Sequence, residues 1–257
     1  MAVSKIQSLQ KYIKELSRGS NGKIAVLFSG GIDSGLVAYA AKGFADAVTI
    51  DSEFVFRYKI EDAVNFAKKH GINHRIIRLS CLDEKIKNNP FNRCYFCKTA
   101  DIKELKNQGY VLILDGTNAD DLRETRPGLQ ALKEENVISP LAELNIGKED
   151  ARSIMREIDK DFSLKPHESC IASRIPFNSP ITAEKLNRIE KAEDYIRNLG
   201  ISIVRVRDYF PEARIEVSSK NFKLVVENRR KIVEKFREIK YKTVTLNLEE
   251  YNKSGIK

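Results

Sequence analysis

Through the first two thirds of the chain, short unbroken apolar runs alternate with stretches of helical periodicity. The apolar runs cover residues 24–28, 47–50, 74–79 and 110–114, and the helical patterns between them cover 34–42, 58–70 and 97–107. Runs that are apolar at successive positions, rather than at every second one, predict strands buried on both faces; helices between them predict a parallel sheet covered on both sides. This part of the chain is expected to be a doubly wound α/β domain.

The pattern changes after about residue 179. Thr182 is a good N-cap, Glu184 follows in the first turn and Gly200 supplies a C-terminal stop, so a helix is expected between them. "SIVRVRDYFPEARIEVS" alternates with period two on both sides of "DYFPEA", which predicts a β-hairpin, followed by a long helix to about Lys240 and a last strand at "KTVTLNL". The division read from these patterns is a doubly wound domain over 1–178 and a small α+β domain over 179–257, with the joint at the proline-flanked stretch 176–180.

Composition sets limits on this picture. A chain of 257 residues has room for one large domain or for a domain with a smaller companion. No apolar run approaches the length of a membrane span, and "MAVSKIQSLQKYIKEL" reads as an amphipathic helix without a cleavage site; a cytoplasmic protein with no membrane partner is expected. The net charge is +9, and from residue 181 onward eighteen Lys and Arg face twelve Asp and Glu. Such a bias suits an anionic partner, nucleic acid or a phosphorylated small molecule, and a solvated lysine-rich surface accounts for it equally well.

The first strand runs straight into "VLFSGGIDSG". Gly30 and Gly31 let the backbone approach an anion with its N–H groups exposed, and the helix beginning near Asp33 points its positive end at the same place. Ser29 and Ser34 add hydroxyl donors. The result is a phosphate cradle without the lysine of the Walker type. S-G-G-x-D-S directly after a first strand resembles the pyrophosphatase loop, or PP-loop, of the ATP pyrophosphatase family, whose fold is that of the adenine nucleotide alpha hydrolases. That resemblance implies that the loop holds the β and γ phosphates of ATP, that Mg²⁺ bridges them with help from Asp33, and that ATP is cleaved to AMP and pyrophosphate. AMP is then carried on an oxygen of the substrate. The resemblance also implies that "DGTNADDLRETRPG", at the carboxyl end of the fourth strand, closes over the nucleotide through Thr117, Asn118, Asp121 and Arg126. Asp51 and Ser52, ending the second strand, stand where this fold commonly contacts adenosine.

Four cysteines in a chain without an export signal point to metal binding or catalysis rather than disulfides. Cys94 and Cys97 in "NRCYFCK" are compatible with zinc, an iron–sulfur cluster, redox chemistry or burial. The third, Cys170, lies in "PHESCIASRIPFNSPIT", near His167. Cys81 is expected to be a small buried residue, and His70 and His74 to be polar surface.

The Cys170 segment, "DGTNADDLRETRPGLQALKEENVISPLAEL" and "VRVRDYFPEARIEV" together resemble the LarE family, ATP-dependent sulfur transferases of nickel-pincer nucleotide biosynthesis. The resemblance runs from about Lys23 to the end of the chain. It implies an enzyme that adenylates pyridinium-3,5-dicarboxylate mononucleotide and replaces carboxylate oxygen by sulfur, with Cys170 handling the sulfur. Some members sacrifice that cysteine and are left with dehydroalanine; others add a C-x-x-C pair and bind a 4Fe-4S cluster. This chain has the second set, so Cys94, Cys97 and Cys170 are the implied cluster ligands. One iron would stay without a protein ligand, open to inorganic or carrier-borne sulfide. Arg174 is implied in catalysis and, with Arg205, Arg207 and Arg214, in binding the substrate phosphate near a subunit contact of a homo-oligomer. The family's aspartate near the C-terminus is replaced by Asn247 in "LNLEEYNKSG", leaving Glu190, Glu193 or Glu249 as substitutes. The competing reading is a tRNA thiolation enzyme with the same loop and cluster. No RNA-binding module with stacking aromatics is recognisable, so a nucleic-acid partner is not expected.

Overall fold

The structure, a computed structural model, describes residues 2–124 and 126–249. In chain order its main elements are α1 (Ala2–Arg18), β1 (Lys23–Leu27), α2 (Ile32–Ala40), β2 (Asp46–Asp51), α3 (Arg57–His70), β3 (His74–Arg78), α4 (Glu84–Lys87), α5 (Arg93–Asn107), β4 (Tyr110–Leu114) and α6 (Pro127–Glu134). Then come α7 (Pro140–Glu143), α8 (Lys148–Ile158), α9 (Lys160–Ser163), α10 (Ala183–Asn198), β5 (Val204–Tyr209), β6 (Glu212–Val217), α11 (Phe222–Glu227), α12 (Arg229–Glu238) and β7 (Thr243–Leu246). They pack into two units: residues 1–81 with 92–168, and residues 82–91 with 169–257. Among the described residues no helix is long and apolar enough to cross a membrane.

The first unit is built on a parallel sheet of order β3-β2-β1-β4. Alternation along β1 explains its unbroken apolar run. Ile24 and Val26 join one core with Leu36 and Val37 of α2, Leu9 and Ile13 of α1 and Ile154 of α8. Ala25 and Leu27 join a second core with Ile102 and Leu105 of α5 and Leu132 of α6. Both faces of β1 are thus covered, as the sequence predicts; β3 departs from that expectation, because at the sheet's edge His74 and Ile77 are only half-buried and Arg75, Ile76 and Arg78 are exposed. From β1 the chain builds outward to β2 and β3, then returns to add β4 on the other side of β1. The strand order therefore reverses between β1 and β4, the place where open α/β sheets leave a crevice at their carboxyl ends.

In the second unit the predicted hairpin forms as β5 and β6, antiparallel, and β7 joins β6 in parallel. α10 packs Ala192 and Ile196 against Val204, Val206 and Ile215. Thr182 caps α10, its hydroxyl accepting the Lys185 N–H at 3.3 Å, and Gly200 follows with φ +93°. The single long helix expected before Lys240 is broken at Asn228 into α11 and α12. Its side chain donates to Leu224 O at 2.9 Å, one of the local bonds by which Asn competes with the helix ladder.

Candidate functional site

The loop between β1 and α2 is shaped by one residue that only glycine suits. Gly30 has φ +72°, and a Cβ there would lie 2.6 Å from the Lys59 carbonyl oxygen. Ser34, buried in the first turn of α2, accepts the Ser29 N–H at 3.2 Å, lies 3.1 Å from the Ser29 hydroxyl and donates to Gly31 O at 3.3 Å. The two serines thus hold the loop's shape. Gly31 at the N-cap provides no side chain for the first-turn N–H groups of α2, leaving an amino end suited to an anion.

The loop after β4 closes on this amino end. Gly116 lies so near that a Cβ would stand 2.5 Å from the Ser34 nitrogen. Asp115 holds the turn by accepting the Thr117 N–H at 3.1 Å, the Thr117 hydroxyl at 2.6 Å and the Ser139 hydroxyl at 2.6 Å. Asn118, completely buried, accepts the N–H groups of Asp120 and Asp121 and donates to Asp33 Oδ2 at 3.1 Å. Burial pushes the Asp33 carboxyl up to about 6; the Asn118 bond opposes this, Asp121 reinforces it, and Lys148 and Arg152 draw it down. Asp121 in turn pairs with Lys148 at 2.9 Å and Arg126 at 3.3 Å, and Arg126 also bonds Glu124. Asp33, Asn118, Asp121 and Arg126 therefore form one connected network. Asp51 and Ser52 lie outside it: Asp51 pairs with Arg57 at 2.5 Å and Arg78 at 3.7 Å, and the Ser52 hydroxyl accepts the Phe54 N–H at 3.3 Å.

Sequence reasoning missed Asp115, Gly116, Lys148 and Arg152. The Asp-Gly pair ending a strand was a usable turn signal for the first two; nothing local marks the others. Neither His70 nor His74 is the polar surface residue expected. The Thr49 hydroxyl donates to Phe28 O at 2.7 Å and lies 2.8 Å from His74 Nε2, so the half-buried imidazole supports the residue before the loop, and burial lowers its pKa. His70 lies 3.0 Å from Asp159, a carboxyl that burial would raise but that Lys69, His70 and the Phe162 N–H hold at about 2.

α5 starts at Arg93, with Asn92 at the N-cap, four residues before the expected helical pattern at 97–107, so Cys94 lies in its first turn and Cys97 opens its second. Three apart, they share a helix face; Cys94 is exposed and Cys97 half-buried. Cys81 is buried, as expected. Cys170 belongs to the second unit, half-buried at the start of a 3-10 turn, Ile171–Arg174. Among the described residues no three His, Cys, Asp or Glu side chains are gathered as a metal site.

In the second unit Arg174 is completely buried. Its Nε and NH2 donate to Glu193 at 2.7 and 3.0 Å, and its NH1 donates to Ser169 O, Ser169 Oγ, Cys170 O and Ser173 Oγ at 3.0 to 3.2 Å. Arg205 and Arg207 share a face of β5, as their spacing predicts, but only 2% and 3% of their surface is exposed. Arg207 donates to Ser173 O at 2.8 Å and pairs with Glu216 at 2.9 Å. Arg214 stacks over Tyr209 at 4.5 Å. Glu190 is half-buried and Glu249 exposed; the Asn247 N–H donates to Ile215 O, and the tail after residue 249 lies outside the described residues.

Three curated relatives match the chain along most of its length. An uncharacterized protein of Synechocystis is 37% identical over 262 residues, covering 98% of this chain and 96% of its own. An uncharacterized protein of Methanocaldococcus jannaschii is 36% identical over 255 residues, covering 97% and 98%. The pyridinium-3,5-bisthiocarboxylic acid mononucleotide synthase of Lactiplantibacillus plantarum is 32% identical over 224 residues, covering 83% of this chain and 79% of that enzyme. The chain belongs to the PP-loop superfamily, adenine nucleotide alpha hydrolase-like, as a distant relative of that synthase. Its PP-loop fold is also that of the NMN synthetase of Francisella tularensis, with TM-score 0.53, 15% identity and 99% of both chains covered. The NH3-dependent NAD synthetase of Campylobacter jejuni gives TM-score 0.52 at 14% identity, covering 93% of this chain and 94% of that one. No family model matches the chain.

Proposed function

We propose that this PP-loop protein is an ATP-dependent sulfur transferase that adenylates a carboxylate of pyridinium-3,5-dicarboxylate mononucleotide and replaces carboxylate oxygen by sulfur, in the making of a nickel-pincer nucleotide. The observation that carries the reading is the 32% identity to the Lactiplantibacillus plantarum synthase. The Asp33 network beside the amino end of α2 supports it, being suited to a magnesium-bound polyphosphate.

In this reading the substrate carboxylate attacks the α-phosphorus of ATP and pyrophosphate leaves, held by the backbone of Gly30 and Gly31, the Ser29 hydroxyl and the α2 amino end, with the Ser34 hydroxyl fixing the loop through Gly31 O. Sulfide sulfur then attacks the acyl carbon, and AMP leaves with the oxygen. A buried carboxylate whose pKa burial has raised fits a divalent cation, which favours its ionised form, and Asn118 fixes the direction of Asp33. Mg²⁺, when bound, supplies neutralisation of the phosphate charge. Asp51, Ser52, Thr117, Asp121 and Arg126 are assigned to the nucleotide. Arg205, Arg207 and Arg214 are assigned to the substrate phosphate; Arg207 Nε is buried without a hydrogen-bond partner among the described residues, a donor that an anion would satisfy.

Cys94, Cys97 and Cys170 are proposed to hold a 4Fe-4S cluster, for which soft thiolates are the fitting donors. The cluster, when bound, supplies an iron position open to sulfide from an inorganic or carrier-borne source. The protein is proposed to act as a homo-oligomer, without a nucleic-acid or membrane partner. Incubation with ATP, Mg²⁺ and the mononucleotide should release AMP and pyrophosphate, and Asp33→Ala should abolish release. ADP as the nucleotide product would overturn the adenylation reading.

A further inference from the structure

The Cys170 turn is held from within the second unit by an ion pair that stability alone does not explain. The Glu193 carboxylate, completely buried, accepts from four donors: Arg174 Nε at 2.7 Å, Arg174 NH2 at 3.0 Å, Arg197 NH2 at 2.7 Å and the Val206 N–H at 2.9 Å. Val206 lies on β5, an edge strand, so Glu193 ties α10 to a backbone donor at the sheet's edge. The other side of the Arg174 guanidinium draws the backbone and hydroxyl oxygens of residues 169–173 onto one nitrogen. Arg207 adds a second tie from β5 to the same turn through Ser173 O.

Replacing a buried ion pair by apolar side chains of similar volume is commonly neutral or stabilising, because both charges must be stripped of water. What apolar packing lacks is direction: only a fork of donors fixes where the oxygens on either side of Cys170 point. We infer that Glu193 is a positioning residue that, through Arg174, sets the conformation of the Cys170 turn and so the presentation of the Cys170 thiol. In this inference both residues act through the turn, Glu193 on Arg174 and Arg174 on the oxygens of residues 169–173, rather than by the direct catalytic and phosphate contacts that the family resemblance implies for Arg174. The functional consequence rests on the proposed role of Cys170 in sulfur handling; the effect on the thiol does not.

The test is the double variant Arg174→Met with Glu193→Gln. It leaves no buried charge stranded: Gln can still accept the Val206 N–H, and Arg197 keeps Asp194 at 3.0 Å. The variant should melt cooperatively near the wild-type temperature. Its Cys170 should be alkylated by iodoacetamide about tenfold faster relative to Cys94 in the same molecule, the mark of a loosened turn. Sulfur transfer should lose roughly 100-fold in kcat with the KM for ATP little changed, as misplacement of a reacting group does. Arg174→Lys, which keeps the charge paired but cannot wrap the turn, should shift the same readouts. A folded double variant with wild-type alkylation and kcat overturns the inference, as does unfolding of both variants, which would make the pair structural only. Cys170→Ser separates the two readings: transfer surviving in that variant sinks the sulfur role, while the Cys170 alkylation ratio of the double variant, which keeps the thiol, decides the positioning role.

Discussion

Asp33 is the residue in which burial and function pull hardest against each other. Its carboxyl rises from 3.8 to about 6, mainly because burial disfavours the charge. For an acid with a raised folded-state pKa, the stabilising contribution is complete below the unfolded value and is lost as pH rises through the folded one. Ionised Asp33 is therefore a burden on the ligand-free protein above about pH 6. Asp33→Asn should stabilise that protein at about pH 8 by on the order of 1 to 2 kcal/mol, allowing for partial solvent screening, and leave it almost unchanged near pH 4. Melting curves at the two pH values check this; equal curves at the higher pH would contradict it. The same variant should form no AMP. Asp33 itself was legible as one letter of a six-residue string, but its partner Asn118 was only one of several polar candidates in a distant loop. Contact between them depends on β4 lying beside β1.

Elements were legible in kind and less so in extent. The four parallel strands fall within one or two residues of the runs read from the sequence; β1 shows why, since burial on both faces leaves an unbroken apolar signature, whereas β3 at the sheet's edge has no buried residue. α5 begins earlier than its periodicity suggested, at Arg93, taking both cysteines into the helix, and the last long helix is interrupted at Asn228. The interruption falls at an Asn whose side chain bonds the Leu224 carbonyl, in local competition with the helix ladder. Where a capping signal was explicit, it held: Thr182 caps α10 through the Lys185 N–H. Thr182→Ala should cost about 1 kcal/mol in denaturant unfolding of the protein, the usual worth of such a cap. A loss within experimental error would mean that the rest of α10, packed on the small sheet, fixes the helix start without it.

For the molecule as a whole, the question is whether the protein is spent in turnover. In the proposed reading, where Cys94, Cys97 and Cys170 hold a cluster, added sulfide should support several turnovers per chain under anaerobic conditions. Cys94→Ser or Cys97→Ser should remove both bound iron, read by an iron and sulfide assay, and turnover beyond the first. Mass spectrometry of the Cys170 peptide decides the alternative: dehydroalanine formed in proportion to product would make the cysteine itself the sulfur donor.

The sequence by itself determined the strand–glycine turn–helix form of the loop at residues 29–34, the two-sided burial of β1, the hairpin and the placing of Arg205 with Arg207 on one face. Each is a short-range property, set by neighbours along the chain or by a period of two or three to four residues. Only the tertiary structure decided that Asn118 meets Asp33, that His74 supports Phe28 through Thr49, and that Arg174 turns inward to Glu193. Those contacts join residues far apart in the chain, brought together by strand order and by α10 packing on β5. An arginine's letter says nothing about whether its charge is met by a ligand, by water or by a buried carboxylate until the fold has chosen its neighbours.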